Sequence, residues 1–140
     1  MEWYRSIQEL VDEIDDCIRA GNDEALTLTH LSEKLGYSRY HVSRKFSEIA
    51  GMQMRDYLRY RKLAFALKDI RDTQASILEV AMNHGFSSHE AFTRAFKEAY
   101  GITPSEYRRK PVPVVLRTVI KPFDCYLMEM GGQDMEKESG

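Results

Sequence analysis

The chain has 140 residues, enough for one modest hydrophobic core, so we expect one domain with appendages rather than two full domains. Its residues are 43% hydrophobic and 30% charged, and no run approaches the roughly 20 apolar residues of a membrane span, so the composition indicates a soluble globular protein. The net charge of −2 hides a basic middle, because residues 25–110 carry fifteen basic and nine acidic side chains while residues 1–24 carry two and eight.

The first predicted element is a helix from about residue 3 to Ala20, which Gly21 ends. Its apolar residues recur at spacings of three and four and share one face: Trp3, Ile7, Leu10, Val11, Ile14, Cys17 and Ile18. The segment is charged from its second residue and lacks the apolar run of a secretory signal, so we expect a cytoplasmic protein. Cys17 and Cys125 are far apart in the sequence and predict neither a disulfide framework nor a zinc site.

An internal repeat organises the next eighty residues. Leu28–Gly51 and Ile77–Gly101 share a Gly-aromatic-Ser step, an Arg-x-Phe step and a closing glycine. Gly36 and Gly85 stand where a first helix must end and reverse, because glycine takes the left-handed conformation without a Cβ clash. Each repeat therefore predicts a short helix, a sharp turn and a longer helix.

Hydroxyl residues stand where the predicted helices should begin, because their side-chain oxygens accept hydrogen bonds from the unpaired amides of a first turn. Three of them are followed, three residues later, by a glutamate, which is the spacing of a capping box. The predicted caps are Thr27, Ser38, Ser76 with Glu79, Ser87 with Glu90, and Thr103 with Glu106.

Between the repeats, residues 54–70 predict one connecting helix, since neither glycine nor proline interrupts them. Its apolar residues recur at mainly helical spacing: Met54, Tyr57, Leu58, Leu63, Ala66, Leu67 and Ile70. Its polar side is rich in cations: Arg55, Arg59, Arg61, Lys62 and Lys68. For each cation two interpretations stay open, a solvated helix surface and a contact with phosphate.

Two segments carry a family resemblance, GYSRYHVSRKF at Gly36–Phe46 and GFSSHEAFTRAFKEAYGITPSEYRR at Gly85–Arg109, of which the second is the more diagnostic. They resemble the double helix-turn-helix module of the AraC/XylS family of transcription regulators, over roughly residues 3–110. The resemblance implies an all-α fold of about seven helices, in which a long linker helix joins two helix-turn-helix subdomains. A module at the N-terminus is similar to the Rob-like arrangement, in which an effector-binding domain follows.

The resemblance also implies a function. It implies binding to double-stranded promoter DNA, regulation of RNA polymerase access or recruitment, and a place in the bacterial cytoplasm at the nucleoid. Because one chain supplies two recognition helices, we expect a monomer to bind successive major grooves of an asymmetric site. A small-molecule effector is expected only if a fuller C-terminal domain exists.

Recognition helices read DNA with the outward residues of their N-terminal turns. In the first repeat Val42, Phe46 and Ile49 form the predicted inward stripe, and in the second Phe92, Phe96 and Ala99. The outward candidates are Arg39, Tyr40, Ser43, Arg44 and Ser47 in the first helix, and Ser88, His89, Glu90, Thr93, Arg94 and Lys97 in the second. Arg59 and Lys62 are the candidate phosphate contacts of the connector.

Arg44 and Arg94 are the leading candidates for base contacts. Each precedes a core phenylalanine by two residues, and arginine can bond bidentately to guanine O6 and N7. For Tyr40 both stacking on DNA and packing beside the turn stay open. For Glu90 both a contact with cytosine N4 and a capping role stay open.

Two other classes of function are an enzyme and a protein-docking module. The four histidines form no i, i+4 metal pair, and neither a nucleophile elbow nor a phosphate-binding glycine loop is present, so we expect no enzyme, metal or cofactor. A protein-docking module is the more serious alternative, because helix-turn-helix folds also serve as docking surfaces. Matched exposed arginines on both helices favour DNA, since docking does not require them.

The chain changes character after Pro111 and Pro113, where β-branched and aromatic residues predict short strands near 114–120 and 124–130. We therefore predict a double helix-turn-helix domain over residues 1–110. Residues 111–140 then form a linker or tail, interpreted as the truncated start of an effector-binding domain.

Overall fold

A computed structural model describes residues 2–114, which contain seven α-helices and a single 3-10 turn at Asp23–Ala25. The helices are α1 Glu2–Ala20, α2 Leu28–Leu35, α3 Arg39–Ala50, α4 Met54–Asp72, α5 Ile77–Asn83, α6 His89–Tyr100 and α7 Pro104–Arg109. No residue of this range belongs to a β-strand. The predicted all-α fold with two helix-turn-helix subdomains is confirmed, and the expected strands lie, apart from Val114, outside the described residues.

The first of two compact units spans Met1–Arg61. Within it α1 packs against α2 and α3. The predicted apolar face of α1 is buried from Ile7 to Ile18, as the spacing of three and four requires. The Phe46 ring of α3 meets the Tyr57 ring of α4 edge to face, with centroids 5.1 Å apart, and both residues are fully buried.

The second unit spans Lys62–Gly140, and in its described part α6 packs against α5 and α7. Its core contains Phe92 and Phe96 of α6 and Tyr107 of α7, all without solvent exposure. At the end of α4 the Arg108 Nε donates a hydrogen bond of 2.9 Å to the carbonyl of Ile70. This bond satisfies one of the carbonyls that a helix C-terminus leaves unpaired.

The connecting helix α4 is uninterrupted, as predicted, and continues two residues beyond Ile70. For Arg61, both interpretations given from the sequence, a solvated surface and a phosphate contact, were wrong. Its side chain is neither solvated nor available to phosphate, because it is fully buried and paired with Asp15 of α1. Arg61 Nε donates to Asp15 Oδ1 at 2.8 Å and Arg61 Nη2 donates to Asp15 Oδ2 at 2.9 Å. Such a bidentate pair compensates the loss of hydration of both charges.

Local capping chemistry fixes most helix starts where the sequence placed them. The hydroxyls of Thr27 and Ser38 accept hydrogen bonds from backbone amides of the first turns of α2 and α3, and α5 opens with its predicted capping box. In the capping box of α7, hydrogen bonds from the Thr103 amide and hydroxyl lower the pKa of the Glu106 carboxyl. Gly36, at φ 80°, confirms the left-handed turn predicted after α2.

The cysteines and the other candidate metal ligands form no special site in the part of the chain that the structure describes. Burial and a hydrogen bond to Glu13 raise the pKa of the Cys17 thiol, and Cys125 lies outside the described residues. Between residues 2 and 114, no three His, Cys, Asp or Glu side chains gather as metal ligands. None of the helices of that range is both long and apolar enough to span a membrane.

Candidate nucleic-acid interface

The first candidate recognition helix, α3, is oriented by its cap and by its buried stripe. The Ser38 hydroxyl accepts a hydrogen bond of 3.2 Å from the His41 amide. Val42 and Phe46 are fully buried, so the opposite side of the helix faces outward. Ile49 was predicted to share the buried stripe, but it is 36% exposed. It lies in the last turn of α3, where periodicity alone does not show how far the neighbouring helices extend.

Three side chains, spaced one turn apart, line the outward side of α3. Tyr40 is 64% exposed, and its hydroxyl accepts a hydrogen bond of 2.9 Å from Arg44 Nη1. The Arg44 guanidinium lies 5.9 Å from the Tyr40 ring centroid, and its Nε lies 3.7 Å from Glu48 Oε2. The other carboxylate oxygen, Glu48 Oε1, lies 3.4 Å from Lys45 Nζ. Arg44 is exposed as predicted, and two neighbours on its own helix hold it.

An open cleft of about 950 Å³ borders this side of α3. Its lining includes the five candidates of the first repeat and one arginine of α4: Arg39, Tyr40, Ser43, Arg44, Ser47 and Arg55. Arg39 is exposed, and its Nη1 donates a hydrogen bond of 3.3 Å to the Thr29 hydroxyl. Three arginines around one concave surface favour an anionic ligand, since Coulomb attraction and released counterions both stabilise the complex.

The second candidate recognition helix, α6, begins one residue later than predicted. Its cap is Ser88, whose hydroxyl accepts a hydrogen bond of 3.0 Å from the Ala91 amide. The predicted cap, Ser87, and its capping box with Glu90 were therefore wrong. The cause is turn length, because α3 begins three residues after its turn glycine whereas α6 begins four residues after Gly85.

Aligned on their cap serines, α3 and α6 correspond residue for residue as far as their closing glycines. Arg44 and Arg94 each lie six residues after the cap, which confirms that they occupy equivalent positions. Arg94 is exposed and, unlike Arg44, makes no hydrogen bond or ion pair with another described residue. The same alignment pairs Glu48 with Glu98.

The other candidates of α6 differ in accessibility. His89 and Lys97 are exposed, whereas Ser88 is half-buried and engaged in its capping hydrogen bond. Thr93 is also half-buried, and its Oγ1 is enclosed without a hydrogen-bond partner. On α4, Arg59 is exposed and Lys62 is half-buried. Accessible cations are thus present on the candidate helix of each unit.

Sequence reasoning missed two carboxylates that matter. Glu48 follows Arg44 by four residues, which is the spacing of a helical ion pair and could have been noticed. Asp15 follows Val11 by four residues and precedes Ile18 by three, so it lies within the apolar stripe of α1. An acidic residue at a core position indicates a buried partner, although the sequence does not name that partner.

Known proteins are similar in sequence to this chain over most of the described residues. Residues 31–110 match the family described as a helix-turn-helix domain. The chain is 33% identical over 110 residues to Regulatory protein SoxS of Escherichia coli strain K12, which covers 79% of this chain and 99% of that protein. It is 38% identical over 89 residues to the Right origin-binding protein of the same strain and 38% identical over 87 residues to the Transposon Tn10 TetD protein of Escherichia coli. Those matches span 31% and 63% of the two proteins, less than two thirds of either.

Solved structures agree with the sequence comparison. An AraC-type transcriptional regulator from Chromobacterium violaceum superposes with a TM-score of 0.70 at 25% identity, over 76% of this chain and 92% of that chain. The xylose-binding transcription activator xylR gives a TM-score of 0.62 at 28% identity, over 72% of this chain and 27% of that chain. The chain therefore belongs to the AraC-type family of helix-turn-helix DNA-binding transcription regulators.

Proposed function

We propose that the protein is a sequence-specific transcription activator that inserts α3 and α6 into successive major grooves of an asymmetric promoter site. The observation that carries the proposal is the matched pair of exposed arginines, Arg44 and Arg94, six residues after the cap of each helix. Exposed arginine in the first turns of a recognition helix suits guanine, whose O6 and N7 accept two parallel hydrogen bonds.

The other candidates take supporting roles in this proposal. Arg39 and Arg59 of the first unit, and His89 and Lys97 of the second, contact phosphate or base edges, and Lys62 adds a charge on α4. Ser88 places the N-terminus of α6 toward a phosphate oxygen, where the helix dipole favours an anion. These contacts fix the register of each helix on the duplex, whereas the two arginines supply base preference.

Membership of the family supports a proposal for the partners and the location. The solved relative xylR is a transcription activator, which supports activation as the mode of regulation and RNA polymerase as the protein partner. Because one chain carries two helix-turn-helix units, we propose that a monomer suffices for binding. A regulator of promoters acts in the bacterial cytoplasm, at the nucleoid.

The proposal is tested by selecting bound duplexes from a random pool with the full chain and footprinting the product. Arg44→Ala and Arg94→Ala should each cost about 1–3 kcal/mol of binding free energy and should relax base preference in different halves of the site. Arg19→Ala and Arg109→Ala, which remove exposed arginines elsewhere in the first and second units, are the matched controls. Intact preference in both test variants, or a pool that yields no preferred sequence, would contradict the proposal.

Phosphate contacts are separable from base contacts by salt. Arg59→Ala should weaken binding to all sequences nearly equally and lower the slope of log affinity against log salt by about one. Lys62→Ala should do the same. A change in base preference in either variant would move that residue from the phosphate contacts to the base contacts.

The connector leads us to expect bent DNA. Its 19 residues rise about 28 Å at roughly 1.5 Å per residue, less than the about 34 Å between successive major grooves on one face of straight DNA. Bending a site of this length costs roughly 1–6 kcal/mol, which contacts in a second groove can offset. Circularly permuted operator fragments measure the bend, and uniform gel mobility with protection in both grooves would exclude it.

A further inference from the structure

Arg44 differs from Arg94 in one respect that its equivalent position does not explain. Its guanidinium is held on both sides along α3, by the Tyr40 hydroxyl at 2.9 Å one turn before and by the Glu48 carboxylate at 3.7 Å one turn after. Arg94 has no hydrogen bond or ion pair with another residue of the described range. The first recognition helix therefore presents an arginine held by two neighbours, and the second presents one that no described residue holds by a hydrogen bond or ion pair.

The burial of Tyr40 bears on its role. At 64% exposure its ring contributes little to the core, so packing does not account for an aromatic residue at this position. The ring and hydroxyl contact Arg44, through the hydrogen bond and through a cation–π approach of 5.9 Å to the centroid, and the ring also lies edge to face with His41 at 5.6 Å. The exposure argues against the packing role considered from the sequence, whereas stacking on DNA stays a prediction.

We propose that Tyr40 and Glu48 are positioning residues that pre-order Arg44 for base readout and raise the ratio of specific to non-specific DNA binding. The inference rests on the proposed function and deepens it. A guanidinium has about five N–H donors; the hydrogen bond to Tyr40 occupies one of them, and Glu48 lies at ion-pair distance from Nε. The remaining donors include the pair that a guanine edge requires, so Arg44 can read a base without leaving its neighbours.

Glu48 contributes in a second way. Its negative charge lies beside both Arg44 and Lys45, at 3.7 and 3.4 Å, so it lowers the net positive charge of the exposed side of α3. Non-specific binding depends on that charge, whereas a hydrogen-bonded base contact depends on where the guanidinium points. A carboxylate at this position therefore weakens binding to the wrong sequence more than binding to the right one.

The test compares full-chain variants on the selected operator and on a scrambled duplex of equal length, at one salt concentration. Tyr40→Phe keeps the ring and removes the hydroxyl, and it should lower operator affinity about 2- to 12-fold, the cost of ordering one arginine side chain. Affinity for the scrambled duplex should not change. Tyr4→Phe, at an equally exposed tyrosine of α1, is the control and should alter neither affinity.

Glu48→Gln keeps the size of the side chain and removes its charge. It should raise affinity for the scrambled duplex about twofold or more, as expected for one unit charge near phosphate in water, and raise operator affinity by a smaller factor, because Arg44 loses one of the two neighbours that order it. The specificity ratio then falls. Glu33→Gln removes a charge from the exposed side of α2 and should shift both affinities by the same factor.

A double-mutant cycle separates positioning from direct contact. If Tyr40 acts through Arg44, Tyr40→Phe has no further effect in an Arg44→Ala background. The double variant then loses no more base preference, at the position read by Arg44, than Arg44→Ala alone. Additive losses would show that the Tyr40 hydroxyl touches DNA itself and would overturn the inference. Tyr40→Phe and Glu48→Gln variants that behave like their controls would also overturn the inference. In that case the proposed function still stands if the wild type prefers the operator and Arg44→Ala loses that preference. If the wild type has no operator preference, the proposed function fails and the inference fails with it.

Discussion

Replacing Asp15 with alanine should remove the carboxylate that accepts two hydrogen bonds from the buried Arg61 guanidinium. Both side chains are excluded from solvent, at 1% and 0% exposure, and hydrogen bonds of 2.8 and 2.9 Å join them. Removing one partner of a buried ion pair costs about 3–5 kcal/mol, because the buried charge that remains loses a bidentate contact that compensates its lost hydration. That is a large share of the about 5–15 kcal/mol by which a typical domain is stable.

Thermal unfolding followed by circular dichroism measures this loss. With about 2.1 cal/mol/K of unfolding entropy per residue, a domain of about 110 residues loses roughly 4 °C of Tm per kcal/mol, so Tm should fall by about 12–20 °C. Asp16→Ala is the matched control, since that side chain is 72% exposed and its ion pair with Arg19 is worth at most about 1 kcal/mol.

A second variant distinguishes loss of the carboxylate contact from a simple loss of packing. Asp15→Leu combined with Arg61→Met replaces the pair with apolar side chains, and it should restore most or all of the stability that Asp15→Ala loses. A Tm change below about 4 °C in Asp15→Ala would refute the reasoning, since it would mean that the buried guanidinium does not depend on the Asp15 carboxylate. A double variant no more stable than Asp15→Ala would refute it as well.

Three further predictions concern Thr93, Glu106 and Cys17. Because the Thr93 hydroxyl is enclosed without a hydrogen-bond partner, Thr93→Val should keep or raise the free energy of unfolding measured in urea. If the variant lost operator affinity in gel shifts, the hydroxyl would instead be a DNA contact. The pKa of Glu106 is lowered from 4.5 on folding, so its contribution to stability is complete above pH 4.5 and is lost as the pH falls through the lower folded pKa. The difference in unfolding free energy between wild type and Glu106→Gln should therefore shrink below pH 4.5. A difference independent of pH would contradict this. Burial raises the pKa of Cys17, so in a Cys125→Ser background a disulfide reagent should label it slowly in the native protein and at once in urea, whereas rapid native labelling would show an open site.

Helix positions were predictable because their causes are local in the sequence. The caps Thr27 and Thr103 act on amides three residues away, and the apolar spacing of α1 and α4 appears without any knowledge of a partner. The start of α6 was misplaced because Ser87, and not Ser88, has the capping-box spacing to Glu90. Turn length depends on how two helices pack, and the local spacing of Ser87 and Glu90 does not encode that packing.

The site was predictable in outline but not in its contacts. Outward positions such as Arg44 and Arg94 follow from helical periodicity, and both are exposed. The partner of Arg61 lies 46 residues away in the sequence, so its burial depends on tertiary packing that no periodicity encodes. Whether an outward arginine is held or free, which separates Arg44 from Arg94, depends on side-chain geometry and not on residue type.

The extra residue in the turn before α6 determines how reading helices can be exchanged between the two units. One residue of misregistration rotates every side chain of an α-helix by about 100°. A chimera that transplants α6 into the first unit by matching Gly85 to Gly36 would put Thr93 in the place of Arg44 and Ala95 in the place of the core residue Phe46. A chimera matched at the cap serines, with the host turn retained, keeps arginine outward and phenylalanine inward. Hybrid regulators built from this chain therefore have to be joined at the caps.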